Sequence, residues 1–350
     1  MQQYIIGDNE AGQRFDKYLK KILKEAPDSF IYKMLRKKNI VLNGKKSTGT
    51  EKLEKQDVVK IFLADDTFEK FSGQKPGNAS QGSLTISNEL LKQYENAYQK
   101  LTSISLVYED ENILILNKPV GILSQKASPD DISLNEWLLG YLLHKGEVTP
   151  ASLYTFKPSI CNRLDRNTSG MVVCGKSLAG SQYMSRIIKE KTLEKYYHCI
   201  VPGKVVLHER LTGYLSKDHA TNKVIIYRTQ EEIPAKKREK AEFIDTEFHT
   251  LQADENHSLL EVQIFTGKTH QIRAHLASIG HPIIGDYKYG SAAINQKYAS
   301  QGIESQLLHA YRLVFPTIEE ERFRAISGLV LTCPEPSLFQ KILSSGKGGA

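Results

Sequence analysis

A polar stretch rich in Gly, Ser, Gln and Asn, DDTFEKFSGQKPGNASQGS at residues 65–83, breaks an otherwise ordinary mixture of apolar and charged residues. Such a stretch has too little apolar surface to build a core, so it separates what folds before it from what folds after it. Residues 65–104, with a weakly helical run from Asn88 to Leu101, are therefore expected to link a unit at 1–64 to a larger one at 105–340. The 350-residue length fits two domains, at roughly 100–200 residues per domain.

The two units differ in charge. Residues 12–60 carry fourteen Lys and Arg against six Asp and Glu, an excess of eight in a chain whose formal total is +7. Cations concentrated on a small unit are the electrostatic footprint of a polyphosphate binder, whereas an evenly basic surface would indicate only solubility. Phe15, Tyr18, Leu19, Ile22 and Leu23 recur at helical spacing, with Lys17, Lys20, Lys21 and Lys24 outside the stripe. Pro27-Asp28-Ser29 supplies turn and N-cap chemistry for a second helix bearing Lys33, Arg36, Lys37 and Lys38. Ile40-Val41-Leu42 reads as a strand, Asn43-Gly44 as a tight hairpin turn before Lys45, and Val58 to Leu63 as a further strand.

Several classes drop out. No run approaches 18 consecutive apolar residues, and Met1 to Glu10 has neither a cationic start nor a long apolar segment. A membrane span and a secretory signal are not expected, and a cytoplasmic location is. Cys161, Cys174, Cys199 and Cys333 form no C-x-x-C pair, so a zinc ribbon or a disulfide framework lacks its spacing.

In the larger unit, Ile113 to Leu116 reads as a strand stopped by Asn117-Lys118-Pro119 and a turn at Gly121. Helices are expected at 134–143 and 177–191, and strands at 171–174, Tyr197 to Val201 and Leu259 to Phe265. Elements in irregular order argue for an α+β fold over a regular βαβ series. Gly346 to Ala350 should fray.

Three segments could carry chemistry. CNRLDRNTSGMVVCGKS sets Asp165 between Arg163 and Arg166, where cationic neighbours favour an ionised carboxylate. The following Thr168-Ser169-Gly170 suits a tight loop whose backbone donors could orient that carboxylate. TGKTHQIRAHLASIGHPIIGDYKYG gathers Lys268, His270, Arg273, His275, His281 and Asp286 within nineteen residues. His270 and His275 are five apart and fall on different sides of a helix, a poor zinc pair. Gly267 to His270 reads instead as a turn opening a helix that contains Arg273. Tyr197, at a strand start, suits core packing or stacking on a base.

These segments carry a resemblance. Asn117-Lys118-Pro119-x-Gly121, Arg163-Leu164-Asp165-Arg166-x-Thr168-Ser169-Gly170, Lys195-x-Tyr197 and Thr266-Gly267-Lys268-Thr269-His270-Gln271-Ile272-Arg273-x-His275-Leu276 are similar in order and spacing to the RluA family of pseudouridine synthases. Gly280-His281-Pro282-Ile283-x-Gly285-Asp286 and Leu308-His309-Ala310 extend the match over roughly residues 105–335. Upstream, APDSFIYKMLRKKNIVLNGKK resembles the RNA-binding domain named after ribosomal protein S-four, as it occurs in RluC-type members.

The resemblance implies an α+β catalytic domain with a mixed, mainly antiparallel sheet and flanking helices, behind a small α/β RNA-binding domain. It implies an isomerase that converts uridines of structured RNA, 23S ribosomal RNA or large-subunit assembly intermediates, to pseudouridine. No metal, cofactor or membrane is implied, and the protein is expected to be a monomer. Asp165 would be the catalytic aspartate, Arg273 its partner holding it ionised, and Tyr197 the stacking group able to assist at carbon 5 of the base. Arg163 would fill the gap left by a flipped nucleotide, with Lys268 and His270 also on the substrate. Lys33, Arg36, Lys37, Lys38 and Lys45 would bind RNA. The family commonly has His where Asn162 stands and often Arg where Lys268 stands, which bears on RNA positioning. Two other readings are an RNA-binding assembly factor without catalysis, against which Asp165, Tyr197 and Arg273 together stand, and a carboxylate hydrolase. The hydrolase would need a second acid near Asp165, and these segments offer none.

Overall fold

The computed structural model describes residues 1–7, 10–73, 86–218 and 223–345. The amino-terminal elements are β1 (Gln2–Ile5), α1 (Phe15–Ile22), α2 (Asp28–Arg36), β2 (Ile40–Leu42), β3 (Lys45–Lys46), β4 (Val58–Ile61) and α3 (Asp65–Ser72). The strands form one sheet in the order β1-β4-β2-β3. Asn43 and Gly44 take φ of 51° and 73°, the conformation a tight hairpin demands between β2 and β3. Phe15, Leu19 and Ile22 of α1 and Ile31 and Leu35 of α2 bury against Ile40, Val59 and Ile61, so the helical stripe read from the sequence faces a core.

The 65–104 stretch is not uniform. Phe68 of α3 is buried in this first core, and the Phe71 ring lies 4.3 Å from that of Phe30. Burying one such ring contributes roughly 1.5–3 kcal/mol, which helps hold this eight-residue polar helix on the sheet unit. Residues 74–85 lie outside the described part of the chain. Asn88–Lys100 forms α4, capped by Ser87, whose hydroxyl accepts the Leu90 N–H, and its Tyr94 and Ala97 enter the second core. The expected fray at Gly346 to Ala350 also lies outside the described residues.

The second unit continues with β5 (Ser105–Glu109), β6 (Ile113–Lys118), α5 (Leu134–His144), α6 (Ser152–Thr155), β7 (Ser159–Ile160), β8 (Ser169–Gly175), α7 (Leu178–Lys189) and β9 (Glu194–Pro202). Then come β10 (His208–Lys217), β11 (Val224–Tyr227), β12 (Glu242–Ala253), β13 (His257–Ile264), α8 (Gln271–Ser278), α9 (Ala292–Ala299), β14 (Leu308–Val314), β15 (Val330–Thr332) and α10 (Ser337–Ser345). Its sheet runs β11-β10-β12-β13-β9-β14-β8-β6-β5, with β15 on β14 and β7 on β8. Among the described residues β14 and β8 pair in parallel and the other pairings are antiparallel, so the α+β reading holds. Helix α5 covers the sheet with Leu134, Leu138 and Leu142 and meets α4 so closely at Gly140 that a side chain there would strike the Tyr94 carbonyl. No helix among the described residues is long and apolar enough to cross a membrane.

The two cores touch. Tyr154 of α6 packs on the first core, Lys21 of α1 donates to the Thr155 carbonyl, and the Thr155 hydroxyl bonds the Glu10 carboxylate.

Candidate active site

Asp165 sits on the loop that enters β8, and the loop is held from behind. The Ser124 hydroxyl donates to the Leu164 carbonyl at 2.7 Å and accepts the Leu164 N–H at 3.0 Å, clamping the residue before it. Fully buried Lys118 donates through Nζ to the carbonyls of Pro119, Ile122 and Arg166 at 3.0, 2.9 and 3.1 Å. These bonds, with the Gly121 N–H on the same Arg166 carbonyl at 2.9 Å, tie the Asn-Lys-Pro turn to the Asp165 loop. Burial pushes the Lys118 pKa down to about 7, with the charge of Asp165 opposing the shift.

The Thr-Ser-Gly run after Asp165 works differently from the expectation of donors aimed at the carboxylate. The Thr168 N–H closes a turn on the Asp165 main-chain carbonyl at 3.1 Å, the Ser169 hydroxyl pairs with His309 Nδ1 at 2.8 Å, and the Thr168 hydroxyl accepts from Gln306 at 3.3 Å. Gly170 has φ of 112°, and a Cβ there would lie 2.3 Å from the Ala310 carbonyl oxygen. The run therefore seats the loop against β14, where only glycine fits.

What orients the carboxylate is Arg273, in the first turn of α8. Its Nη1 donates to Asp165 Oδ2 at 2.7 Å, while Nε and Nη2 donate to Asp286 Oδ2 and Oδ1 at 2.7 and 2.9 Å. Asp286 is fully buried, and its Oδ1 also accepts the N–H groups of Lys288 and Tyr289. Burial works against its charge, yet the Arg273 guanidinium and these donors hold the Asp286 carboxyl below the usual carboxylate range. A guanidinium fixed in this fork can present its remaining edge in one direction only. The Asp165 side chain keeps 27% of its surface open, so it reaches a recess while anchored from one side.

His270 caps α8 in the left-handed conformation, with φ of 55°. Its Nδ1 lies 2.9 Å from the Tyr289 hydroxyl and its Nε2 lies 3.9 Å from Asp165 Oδ2. That hydroxyl accepts the Val224 N–H at 2.9 Å, which leaves its own hydrogen for His270 Nδ1. We assign the ring to the Nε2–H tautomer, with that N–H turned toward Asp165. Burial lowers the His270 pKa to about 4 against the opposing charge of Asp165, so the imidazole is neutral at pH 7. The Tyr289 ring also lies under the Arg273 guanidinium, 5.3 Å from centroid to Cζ.

Tyr197, early in β9, pairs with Val262 on one side and Ala310 on the other. It is buried, and burial together with the Asp165 charge raises the phenol pKa. The group is therefore a neutral phenol that can stack or relay a proton through its hydroxyl. Asp165, Tyr197, Arg273, Arg163, Lys268 and His270 line one recess of about 740 Å³, within the roughly 300–1,000 Å³ of small-molecule sites. Arg163 is exposed there, and Lys268 is ion-paired with Glu242 at the rim. Asn162 also lines the recess but accepts the Val173 N–H at 2.7 Å, and His275 turns away to Thr246. Lys33, Arg36, Lys37, Lys38 and Lys45 are all exposed on α2, the turn after it and β3. No role for Lys118, Ser124, Tyr289 or Asp286 is legible in the sequence alone; Lys118 and Asp286 lay within the matched motifs, but the bonds from Lys118 to Arg166 and from Arg273 to Asp286 span 48 and 13 positions.

The recess is large enough for a nucleoside, with a carboxylate anchored by arginine and a buried tyrosine in its wall. The family model for RNA pseudouridylate synthase matches residues 112–278, the span holding Asp165, Tyr197 and Arg273. Over those residues the chain is similar to RNA pseudouridylate synthases, isomerases of RNA uridines. It is 28% identical over 319 residues, 89% of this chain and 88% of the other, to a ribosomal large subunit pseudouridine synthase C of Vibrio cholerae. It is also 28% identical over 330 residues, 94% of each chain, to an uncharacterized RNA pseudouridine synthase of Mycoplasma genitalium. The solved structure of human RNA pseudouridylate synthase domain containing 4 shares its fold, with a TM-score of 0.56 at 22% identity over 73% of this chain and 97% of that one.

Proposed function

We propose that this chain converts specific uridines of 23S ribosomal RNA to pseudouridine, with Asp165 as the attacking carboxylate. The curated relatives' names support the ribosomal target. The observation that carries the site assignment is the 2.7 Å bond between Arg273 and Asp165 at the mouth of a recess walled by Tyr197. In the reaction the bond from ribose C1′ to base N1 breaks, the base turns, and a bond from C1′ to C5 forms. The C5 proton leaves and N1 takes one, so nothing is oxidised or reduced. Asp165 supplies the negative charge that reacts with the uridine, Arg273 aims it, and Tyr197 stacks on the base, its hydroxyl able to pass the C5 proton onward. Arg163 at the rim suits the gap a flipped nucleotide leaves, since a planar cation stacks and hydrogen-bonds at once. Lys268 and His270 complete the substrate contacts.

The cationic unit at 1–64, with Lys33, Arg36, Lys37, Lys38 and Lys45 exposed and α3 packed on its core, is the RNA-binding domain; the unit at 105–340, whose core α4 enters, is the catalytic domain. The protein is read as a monomer, and a ribosomal substrate favours the cytoplasm. Mapping pseudouridines in ribosomal RNA from cells with and without this protein, and in a 23S transcript treated with purified protein, tests the reading. Sites that appear with the protein support it. Asp165→Asn should bind RNA yet lose turnover by on the order of 10⁴-fold or more, and measurable pseudouridine formation by that variant would sink the role of Asp165.

A further inference from the structure

Behind the Asp165 loop stands a histidine that the reaction above leaves unused. His309, second in β14, lies directly across from Ser169 in the parallel pairing of β14 with β8. Its Nδ1 is 2.8 Å from the Ser169 hydroxyl, and its Nε2 is 3.3 Å from both the main-chain oxygen and the sulfur of Cys333. A carbonyl only accepts, and the thiol hydrogen has its own acceptor in the Ala310 carbonyl at 3.6 Å. The ring hydrogen is therefore assigned to Nε2, which leaves Nδ1 to accept the Ser169 O–H. Burial lowers the His309 pKa to about 4, so the ring is neutral, with one donor and one acceptor.

A serine, a histidine and a cysteine in a row have the look of a nucleophilic relay. All three are buried, His309 completely, and burial pushes the Cys333 thiol up to about 12. A thiol held protonated and out of reach of solvent does not attack a substrate, so the row holds position instead. What it holds is the support of the ion cluster. Gln306 donates to the Thr168 hydroxyl, His309 accepts from Ser169, and Gly170 packs on Ala310, so three successive residues of the Asp165 loop are seated on 306–310. Within the same stretch the Leu307 N–H donates to the Ile284 carbonyl at 2.9 Å, two residues before Asp286. Both carboxylates that grip Arg273 thus share one support. An attacking group has to be held to within about 0.5 Å of its productive geometry, and a slip of Ser169 against His309 would displace Asp165 from Arg273.

We propose that His309 is a positioning residue for Asp165, its Nδ1 holding the Ser169 hydroxyl so that the loop delivers the carboxylate to Arg273 and the uridine. The inference rests on the reading that Asp165 is the attacking carboxylate. It also gives the segment from Cys333 onward a part in the reaction. The Cys333 carbonyl selects the tautomer, and Phe339 of α10 meets the imidazole edge-on, 6.2 Å between centroids.

The test compares full-length wild type with Ser169→Ala, His309→Leu, His309→Asn and the double variant Ser169→Ala/His309→Leu on a 23S transcript. RNA affinity, single-turnover rate constant and reaction amplitude are read separately. Lost positioning lowers the rate constant, whereas lost fold lowers the amplitude, since the molecules still folded react at the wild-type rate. Ser169→Ala and His309→Leu should each slow the rate constant on the order of 10- to 100-fold with RNA affinity unchanged. The double variant should be no slower than the slower single one, because both changes remove the same bond. His309→Asn, whose side-chain oxygen can stand in for Nδ1, should recover most of the rate. The inference is overturned if Ser169→Ala keeps the wild-type rate constant, if the two single effects multiply, or if only the amplitude falls; Ser169→Ala decides alone should His309→Leu fail to fold. With Asp165→Asn inactive, such a result removes the role of His309 and leaves the catalytic reading standing, whereas turnover by Asp165→Asn brings down that reading itself.

Discussion

The Lys118 ammonium donates to the Arg166 carbonyl at 3.1 Å, one residue beyond Asp165, and so joins two motifs 48 positions apart in the chain. Three carbonyls converge on it, matching the three N–H groups of the charged form, while full burial disfavours that charge.

With a folded pKa of about 7 against an ordinary value of 10.5, Lys118 makes stability pH-dependent in a defined direction. Between those values the unfolded chain binds the proton and the folded protein does not, so stability rises with pH across that window. The gradient is at most about 1.4 kcal/mol per pH unit. Thermal melts of wild type and Lys118→Met should therefore diverge in favour of wild type from pH 7 to pH 10, and below pH 7 the difference should be flat. A constant difference from pH 6 to 10 would show that the ammonium stays charged in the fold.

Asp286→Asn should leave the buried Arg273 guanidinium with Asp165 as its remaining carboxylate, costing at most about 3–5 kcal/mol of stability. Turnover should fall more than affinity, because Arg273 loses its aim. In wild type the lowered Asp286 pKa contributes stability above the unfolded carboxylate range that is lost as pH falls below it, and this acid sensitivity should shrink in the variant. Arg273→Met combined with Asp286→Leu should recover stability without activity; recovery of both would deny Arg273 a role in positioning.

Tyr289→Phe removes the hydroxyl shared by His270 Nδ1 and the Val224 N–H. Nitrogen NMR of the His270 ring should change from a dominant Nε2–H tautomer to a mixture, with turnover reduced on the order of tenfold. Because burial brings His270 to about 4, the wild-type rate should show no histidine inflection between pH 6 and 7. An unchanged tautomer in the variant would mean that Tyr289 does not set it.

Changing Lys33, Arg36, Lys37, Lys38 and Lys45 together to Gln should leave melting nearly unchanged, since all five are exposed and outside the core. RNA affinity should fall, and the salt slope should drop by about 0.7–0.9 for each phosphate no longer neutralised. The single-turnover rate at saturating RNA should persist. An unaltered slope would reduce the cationic face to ordinary solvated surface.

The sequence alone determined what local chemistry can write. The stripe from Phe15 to Leu23, the Asn43-Gly44 turn, the strand from Ile113 and the cationic character of residues 12–60 all depend on neighbours within a few positions, and all appear in the fold. The motifs around Asp165, Tyr197 and Arg273 were equally plain, and their resemblance placed them in one site. The long strands at His208–Lys217 and Glu242–Ala253 were not legible, because HERLTGYLSK and EFIDTEFHTLQA mix charged and apolar residues in proportions that suit either a strand or a loop. Helix α3 was hidden in polar sequence, since what folds it is the first core waiting for Phe68. Tertiary structure also decided that Arg273 is held by Asp286, that Lys118 braces the Arg166 carbonyl and that Tyr289 faces His270. Buried polar groups must find partners wherever the packed chain brings them, and that requirement takes no account of distance along the sequence.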